Sequence, residues 1–213
     1  VIKSSLVPIS NGYSTSFPGS NENPLSQSGE WAKAANSWQA IRKVSNVAKA
    51  TAYNDTTTDD NYSLCQVIAP NDAEVIATVY RQNSTFAELE LLLRMSDTAG
   101  SPGTAAGYEC LCNTDGGIQI VRWNGGLGSF DPIDGGTINS PGSLASGNQL
   151  RATVVGSTIN FYHRPDTGSS WTILATATDS TFATGRCGVG FYVHASGGNI
   201  DDVGFSTFTL NPL

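Results

Sequence analysis

The chain reads as an all-β protein: two antiparallel sheets packed face to face in a jelly-roll sandwich. Three observations predict this. Apolar and polar residues alternate with period two in one segment after another. Turn clusters of Gly, Asn, Asp and Ser separate those segments at short spacing, giving about a dozen strands. A helical period is almost absent, and its one candidate, "EWAKAANSW" (residues 30–38), reads mainly as strand plus turn.

The first 28 residues are rich in Ser, Asn, Gly and Pro and read as a polar N-terminal arm. Residues 29–213 read as one sandwich domain. "SWQAIRKV" and "NVAKATAY" (37–44, 46–53) form a hairpin or two adjacent strands, and "NDTTTDDN" (54–61) a turn. "YSLCQVIA" and "AEVIATVYRQ" follow, the latter with Val75, Ala77 and Val79 on one face and Ile76, Thr78 and Tyr80 on the other. In "FAELELLLRM" (86–95), Ala87, Leu89, Leu91 and Leu93 take the core side. Phe86, Glu88, Glu90, Leu92 and Arg94 take the other. "YECLCN" and "IQIVRW" are joined by "TDGG", whose Asp-Gly and Gly-Gly steps tolerate positive φ. A long Gly/Ser/Pro region (125–148) leads to "QLRATVVGSTINFYHR", a hairpin turning at Gly156-Ser157. "SWTILATATD", "CGVGFYVH" and "DDVGFSTFTL" complete the set. Strict alternation in the last places Phe205 and Phe208 on opposite faces.

With 213 residues the chain can bury a substantial core as one large β domain. Charged residues make up only 14%, against roughly 25% in an average soluble protein. The surface is therefore neutral and hydroxyl-rich. The net charge is -7 with 11 Lys plus Arg spread thinly, so there is no basic stripe and nucleic acid is excluded as a partner. No apolar run nears the ~20 residues of a membrane-spanning helix, and no membrane partner is expected. The first residues lack the apolar core of an intact signal peptide. A removed signal and a lost initiator Met before Val1 both stay open.

Four cysteines, Cys65, Cys110, Cys112 and Cys187, permit two disulfides in three connectivities, or four buried free thiols. Cys110 and Cys112 lie two apart on one strand face, which disfavours a bond between them. No spacing suggests a zinc site.

"GNQLRATVVGSTINFYHR" (147–164), "TATDSTFATGRCGVGFYV" (176–193) and the closing "DDVGFSTFTL" (201–210) together resemble the concanavalin A-like lectin/glucanase superfamily, the laminin-G-like jelly rolls. "NPLSQSGEW", "VRWNGGLGSF" and "TGRCGVGFY" also resemble uncharacterised stand-alone domains of this kind in phage and bacterial genomes. The resemblance spans most of the chain from about residue 15. It implies the fold, which hosts lectins, glycosidases, lyases and structural modules alike.

Glucanases of this fold carry acids at alternate positions on one strand, E-x-D-x-x-E. Glu88 and Glu90 share a face but lack the middle Asp and third Glu, and read as a solvated strand face balanced by Arg94. Glu109 has no acid partner within sequence reach. Three carboxylates lining one sheet would bring hydrolysis back. No G-x-S-x-G elbow is present, and His163 and His194 read as structural or surface residues. Relatives often hold Ca²⁺ on loop oxygens, so the resemblance implies Ca²⁺ as the one cofactor to consider. Its candidate ligands are Asp201 and Asp202, then Asp59 with Asp60 and Asp131 with Asp134. For a glycan, "VRWNGG" offers Arg122, Trp123 and Asn124 at a hairpin end, with Tyr53, and less directly Trp38 and Tyr108, as further aromatics.

The reading that follows is a non-enzymatic structural or interaction module with a lectin-like fold. Its expected setting is the virion surface of a phage, as a capsid decoration or fibre component, or otherwise extracellular. Its expected partners are other protein subunits of an oligomer or capsid, and surface glycans. The alternative is a carbohydrate-binding module or lectin, followed by a glycan-active hydrolase or lyase.

Overall fold

The structure is a computed structural model, described for residues 12–33, 38–53, 60–67, 69–97, 105–125, 128–135, 138–194 and 198–213. Among the described residues, fifteen strands follow one another in sequence. They are β1 (Tyr13–Thr15), β2 (Trp31–Lys33), β3 (Ile41–Val44), β4 (Val47–Ala50), β5 (Asn61–Cys65), β6 (Ala73–Arg81), β7 (Ala87–Asp97), β8 (Ala105–Asn113), β9 (Ile118–Gly125), β10 (Phe130–Pro132), β11 (Gln149–Val155), β12 (Thr158–Arg164), β13 (Thr172–Thr178), β14 (Arg186–Val193) and β15 (Val203–Pro212). No helix occurs among the described residues.

The strands form two antiparallel sheets. An eight-stranded sheet runs β13-β12-β11-β6-β15-β4-β3, with β1 added alongside β15. A seven-stranded sheet runs β10-β9-β8-β7-β14-β5-β2. The core lies between them and takes the expected alternate positions: Val75, Ala77 and Val79 of β6, and Ala87, Leu89, Leu91 and Leu93 of β7, are all buried there. Burial of these apolar faces drives the two sheets together.

The hairpins form where turn residues require them. Gly156 at φ +56° opens the two-residue turn between β11 and β12. Ser45 and Asn46, both with positive φ, turn β3 into β4. All four cysteines are free and buried in the inter-sheet core, so they act there as small apolar side chains.

Three expectations change. The N-terminal arm is not an arm over residues 12–28. β1 pairs with β15 from Tyr13↔Leu210 to Thr15↔Phe208, and Phe17 and Leu25 are fully buried in the core. Two large apolar side chains among the polar residues anchor this stretch; residues 1–11 lie outside the described residues. Phe205 and Phe208 do not face opposite ways, because the β15–β6 register shifts between Phe205 and Thr207. That bulge brings both rings into the one core. Arg94 does not balance the glutamates of β7. Its φ is +49° and the β7–β8 register shifts between Leu93 and Ser96, so a bulge turns it away from their row. It is buried, donating to the carbonyls of Asn71, Gly156 and Phe182 and pairing with Asp72 at 3.2 Å.

Candidate functional site

The outer face of the seven-stranded sheet carries the site. Period-two alternation that sends Leu89 and Leu91 inward sends Glu88 and Glu90 outward. Strand register then sets their neighbours. Tyr62, Gly190, Glu90, Leu111 and Gln119 form one transverse row across β5, β14, β7, β8 and β9. The next row on this face runs Gly188, Leu92, Glu109 and Val121. Glu109 therefore sits diagonally from Glu90, within reach of a long side chain.

The three glutamates converge: one carboxylate oxygen from each of Glu88, Glu90 and Glu109 lies within 4.8 Å of the others. They are not a solvated face. Glu90 is 0% exposed and Glu109 3%. Neither oxygen of Glu90 has a hydrogen-bond partner, whereas Glu109 Oε2 accepts from Trp123 Nε1 at 2.7 Å. Burial pushes the Glu88 carboxyl up to about 7. Burial, then the negative charges of Asp60 and Glu88, hold Glu90 well above the ordinary carboxylate range. Burial and Asp60 raise Glu109 to about 8 against the opposing hydrogen bond from Trp123.

Glu88 and Glu109 line a cleft of about 270 Å³, with Trp123, Phe130, Tyr192 and His194 along its walls. Phe130 is opposite Trp123 in the β10–β9 register and their ring centroids are 5.1 Å apart. Tyr192 is opposite Glu88 on β14, and its ring meets His194 edge-on at 4.8 Å. Beneath the cleft a second apolar cluster packs Trp38, Tyr62 and Trp123 with Leu64, Leu92, Met95 and Val121. Trp38 meets Trp123 edge-on at 4.5 Å and lies 4.1 Å from Tyr62.

The residues singled out in "VRWNGG" separate. Trp123 lines the cleft but is only 3% exposed. Arg122 and Asn124 face the other way, as neighbours on a strand must. Arg122 bridges Asp131 and Asp179, each at 2.7 Å, and Asn124 donates to Asp131 at 3.0 Å. Tyr108 is a core residue whose hydroxyl donates to Asp179 at 2.7 Å. Tyr53 is 48% exposed and is not among the described residues lining the cleft.

The candidate metal pairs are engaged by protein donors. Asp201 pairs with Arg42 at 2.9 Å and Lys49 at 3.7 Å. Asp202 accepts from Asn83 at 2.8 Å and Thr85 at 2.6 Å. Asp131 is bound as above, and Asp134 accepts from the Ile120 amide at 3.3 Å. Asp60 is buried and lines the cleft, while Asp59 lies outside the described residues. His163 faces Asn148 at 3.3 Å, on the eight-stranded sheet.

Sequence reasoning missed Phe130, Tyr192 and the partnership of Glu109 with Glu90. Phe130 lies in a three-residue strand inside a Gly/Ser/Pro region. Glu109 meets the β7 acids only through inter-strand register. The one available signal was that Glu109 and Trp123, on strands joined by a tight turn, both fall opposite the core face.

No protein-family model matches the chain, and no curated protein matches it by sequence. Solved structures do match. The carbohydrate binding module CBM66 from Bacillus subtilis aligns over 86% of this chain and 92% of its own, at 12% identity and a TM-score of 0.57. The exoplasmic/lumenal domain of VIP36, in a Ca²⁺/Man2-bound form, aligns over 89% and 84%, at 12% identity and a TM-score of 0.59. A GH43 protein, BlXynB from Bacillus licheniformis, aligns over 86% of this chain and 37% of its own, at 12% identity and a TM-score of 0.53. Two antiparallel sheets in this order, and these neighbours, establish that the chain has the concanavalin A-like jelly-roll sandwich fold.

Proposed function

We propose that this protein is a carbohydrate-binding module that holds a short saccharide in the cleft on the outer face of its seven-stranded sheet. One observation carries the reading. The rings of Trp123, Phe130 and Tyr192 border the same cleft as the hydrogen-bonding groups of Glu88, Gln119 and His194. A sugar needs both, ring surface for its C–H faces and polar groups for its hydroxyls. The volume lies near the lower end of the roughly 300–1,000 Å³ usual for small-molecule pockets, which suits a short chain. The fold neighbours support the reading: one is a carbohydrate binding module, and another was solved with Man2. Such a module belongs where polysaccharide is met, outside the cell or on a virion surface.

The test is a glycan array followed by calorimetry on the best ligand. Phe130→Ala is the diagnostic variant, because Phe130 is 41% exposed and its loss spares the core. Binding that weakens about tenfold in Phe130→Ala supports the reading, and binding unchanged there refutes this location.

A second reading rests on the acids. Glu88 and Glu109 both line the cleft, and a retaining glycosidase needs two carboxyls about 5–5.5 Å apart. Release of reducing ends from a bound polysaccharide, abolished by Glu88→Gln, supports cleavage; binding without release leaves the module as a binder.

A further inference from the structure

We infer that Glu88, Glu90 and Glu109 form a site for a hard divalent cation, of the class of Ca²⁺, Mg²⁺ and Mn²⁺, at the floor of the cleft. The geometry comes first. Three carboxylate oxygens, one per residue, lie within 4.8 Å of one another, so a single ion placed among them touches all three side chains. The set is all oxygen, the donor type that hard cations select, and the cysteines lie on the opposite side of the sheet, in the core.

A cluster of acids alone is common on protein surfaces. This one differs in its burial and in one unsatisfied member. Glu90 is fully buried and neither of its oxygens accepts a hydrogen bond. A buried acceptor with no partner is rare in a folded protein and points to a missing one. The local fold also makes room for this carboxylate. Gly190 lies opposite Glu90 on β14, and a Cβ there would collide with Glu90 Oε2 and with the ring of Tyr62. Residue 190 is thus bare where the Glu90 carboxylate comes to rest.

Among the described residues, no ion pair of Arg42, Lys43, Lys49, Arg94, Arg122 or Arg151 joins Glu88, Glu90 or Glu109. Three carboxyls this close, in a site with little water, cannot all ionise unless a counter-charge enters. The entry path exists, since Glu88 and Glu109 border the open cleft while Glu90 lies behind them. An ion here would take its remaining ligands from water in the cleft.

The site is tested on the whole chain, freed of metal with a chelator and then titrated with CaCl₂, MnCl₂ or MgCl₂ alone. Calorimetry is expected to show one binding event, and thermal melts a rise in Tm with cation concentration. Glu90→Gln and Glu109→Gln are each expected to weaken binding at least tenfold while melting cooperatively in chelator. Asp201→Asn, in the loop pair, is expected to bind as the parent does. If Glu90→Gln fails to fold, Glu88→Gln at the cleft edge carries the same expectation. Absence of heat and of any Tm change with all three cations at millimolar concentration overturns the inference. So does binding that survives the glutamate changes, or that is lost only in Asp201→Asn. No saccharide enters these measurements, so failure here is separate from failure of the carbohydrate reading.

Discussion

The indole Nε1 of Trp123 donates to Glu109 Oε2 at 2.7 Å, and both residues are at least 97% buried. This bond ties the apolar floor of the cleft to its acids, because the same indole packs edge-on against Trp38. Trp123→Phe keeps an aromatic ring but deletes the donor, leaving Glu109 without it. The variant is expected to lose about 1–3 kcal/mol of stability in urea unfolding. A midpoint and slope equal to the parent's would show that the bond contributes nothing.

Gly190→Ala adds one methyl where the Glu90 carboxylate and the Tyr62 ring already meet. Overpacking of this kind typically costs about 1–3 kcal/mol. The change should lower Tm and also weaken cation binding, since Glu90 has to move. A Gly190→Ala protein that melts like the parent would mean the strand yields there freely.

The bulge in β15 predicts that both of its phenylalanines are core residues. Phe205→Ala and Phe208→Ala should each cost about 3–5 kcal/mol, whereas strict alternation would make one of them nearly silent. Ile173, 43% exposed, is the control, and Ile173→Ala should fall within about 0.5 kcal/mol of the parent. Chemical denaturation of the three variants decides between the two registers.

Acid stability should depend on Asp179. Burial pushes its carboxyl up, but hydrogen bonds from Thr181, Tyr108 and Arg122 outweigh that and hold it at about 2. Glu22 behaves likewise: burial is outweighed by the Gln27 and Ser26 amides and Lys43, which bring it to about 2. A carboxyl lowered in the fold adds stability above its unfolded value, near 4, and loses it as pH falls toward 2. Tm measured from pH 5 to pH 2 should therefore drop steeply, and Asp179→Asn should flatten part of that drop. A parallel profile in the variant would remove Asp179 from the account.

The alternation of Ala87, Leu89, Leu91 and Leu93 against Glu88 and Glu90 was legible in the sequence because a strand has one period and one buried face. The hairpins at Gly156 and at "TDGG" were legible because their turns demand particular residues. The bulges at Arg94 and near Ser206 were not, since nothing in either residue type announces an extra position. Hence strict alternation sets Arg94 beside the glutamates and puts Phe205 and Phe208 on opposite faces, where the bulges do neither. The site itself depended on register. Glu109 reaches Glu90 only when β8 pairs with β7 in one alignment, and Tyr192 reaches Glu88 only through β14, which lies about a hundred residues further along the chain. The grouping of Arg122, Trp123 and Asn124 into one glycan site fails by alternation: adjacent residues on a strand cannot share a cleft, and only Trp123 lines it. The buried anchors Phe17 and Leu25 were hidden by the polar composition around them.

The most direct test of the central claim follows the indole N–H of Trp123 by NMR during titration with the saccharide that binds best on an array. Its proton is donated to Glu109, and both residues line the cleft, so it reports on a change at either. Saturable shifts of that resonance, with those of Gln119, Tyr192 and His194, are the predicted result. A bound saccharide that leaves these unmoved and shifts residues of the eight-stranded sheet would contradict the account, as would a chain that binds no saccharide at all.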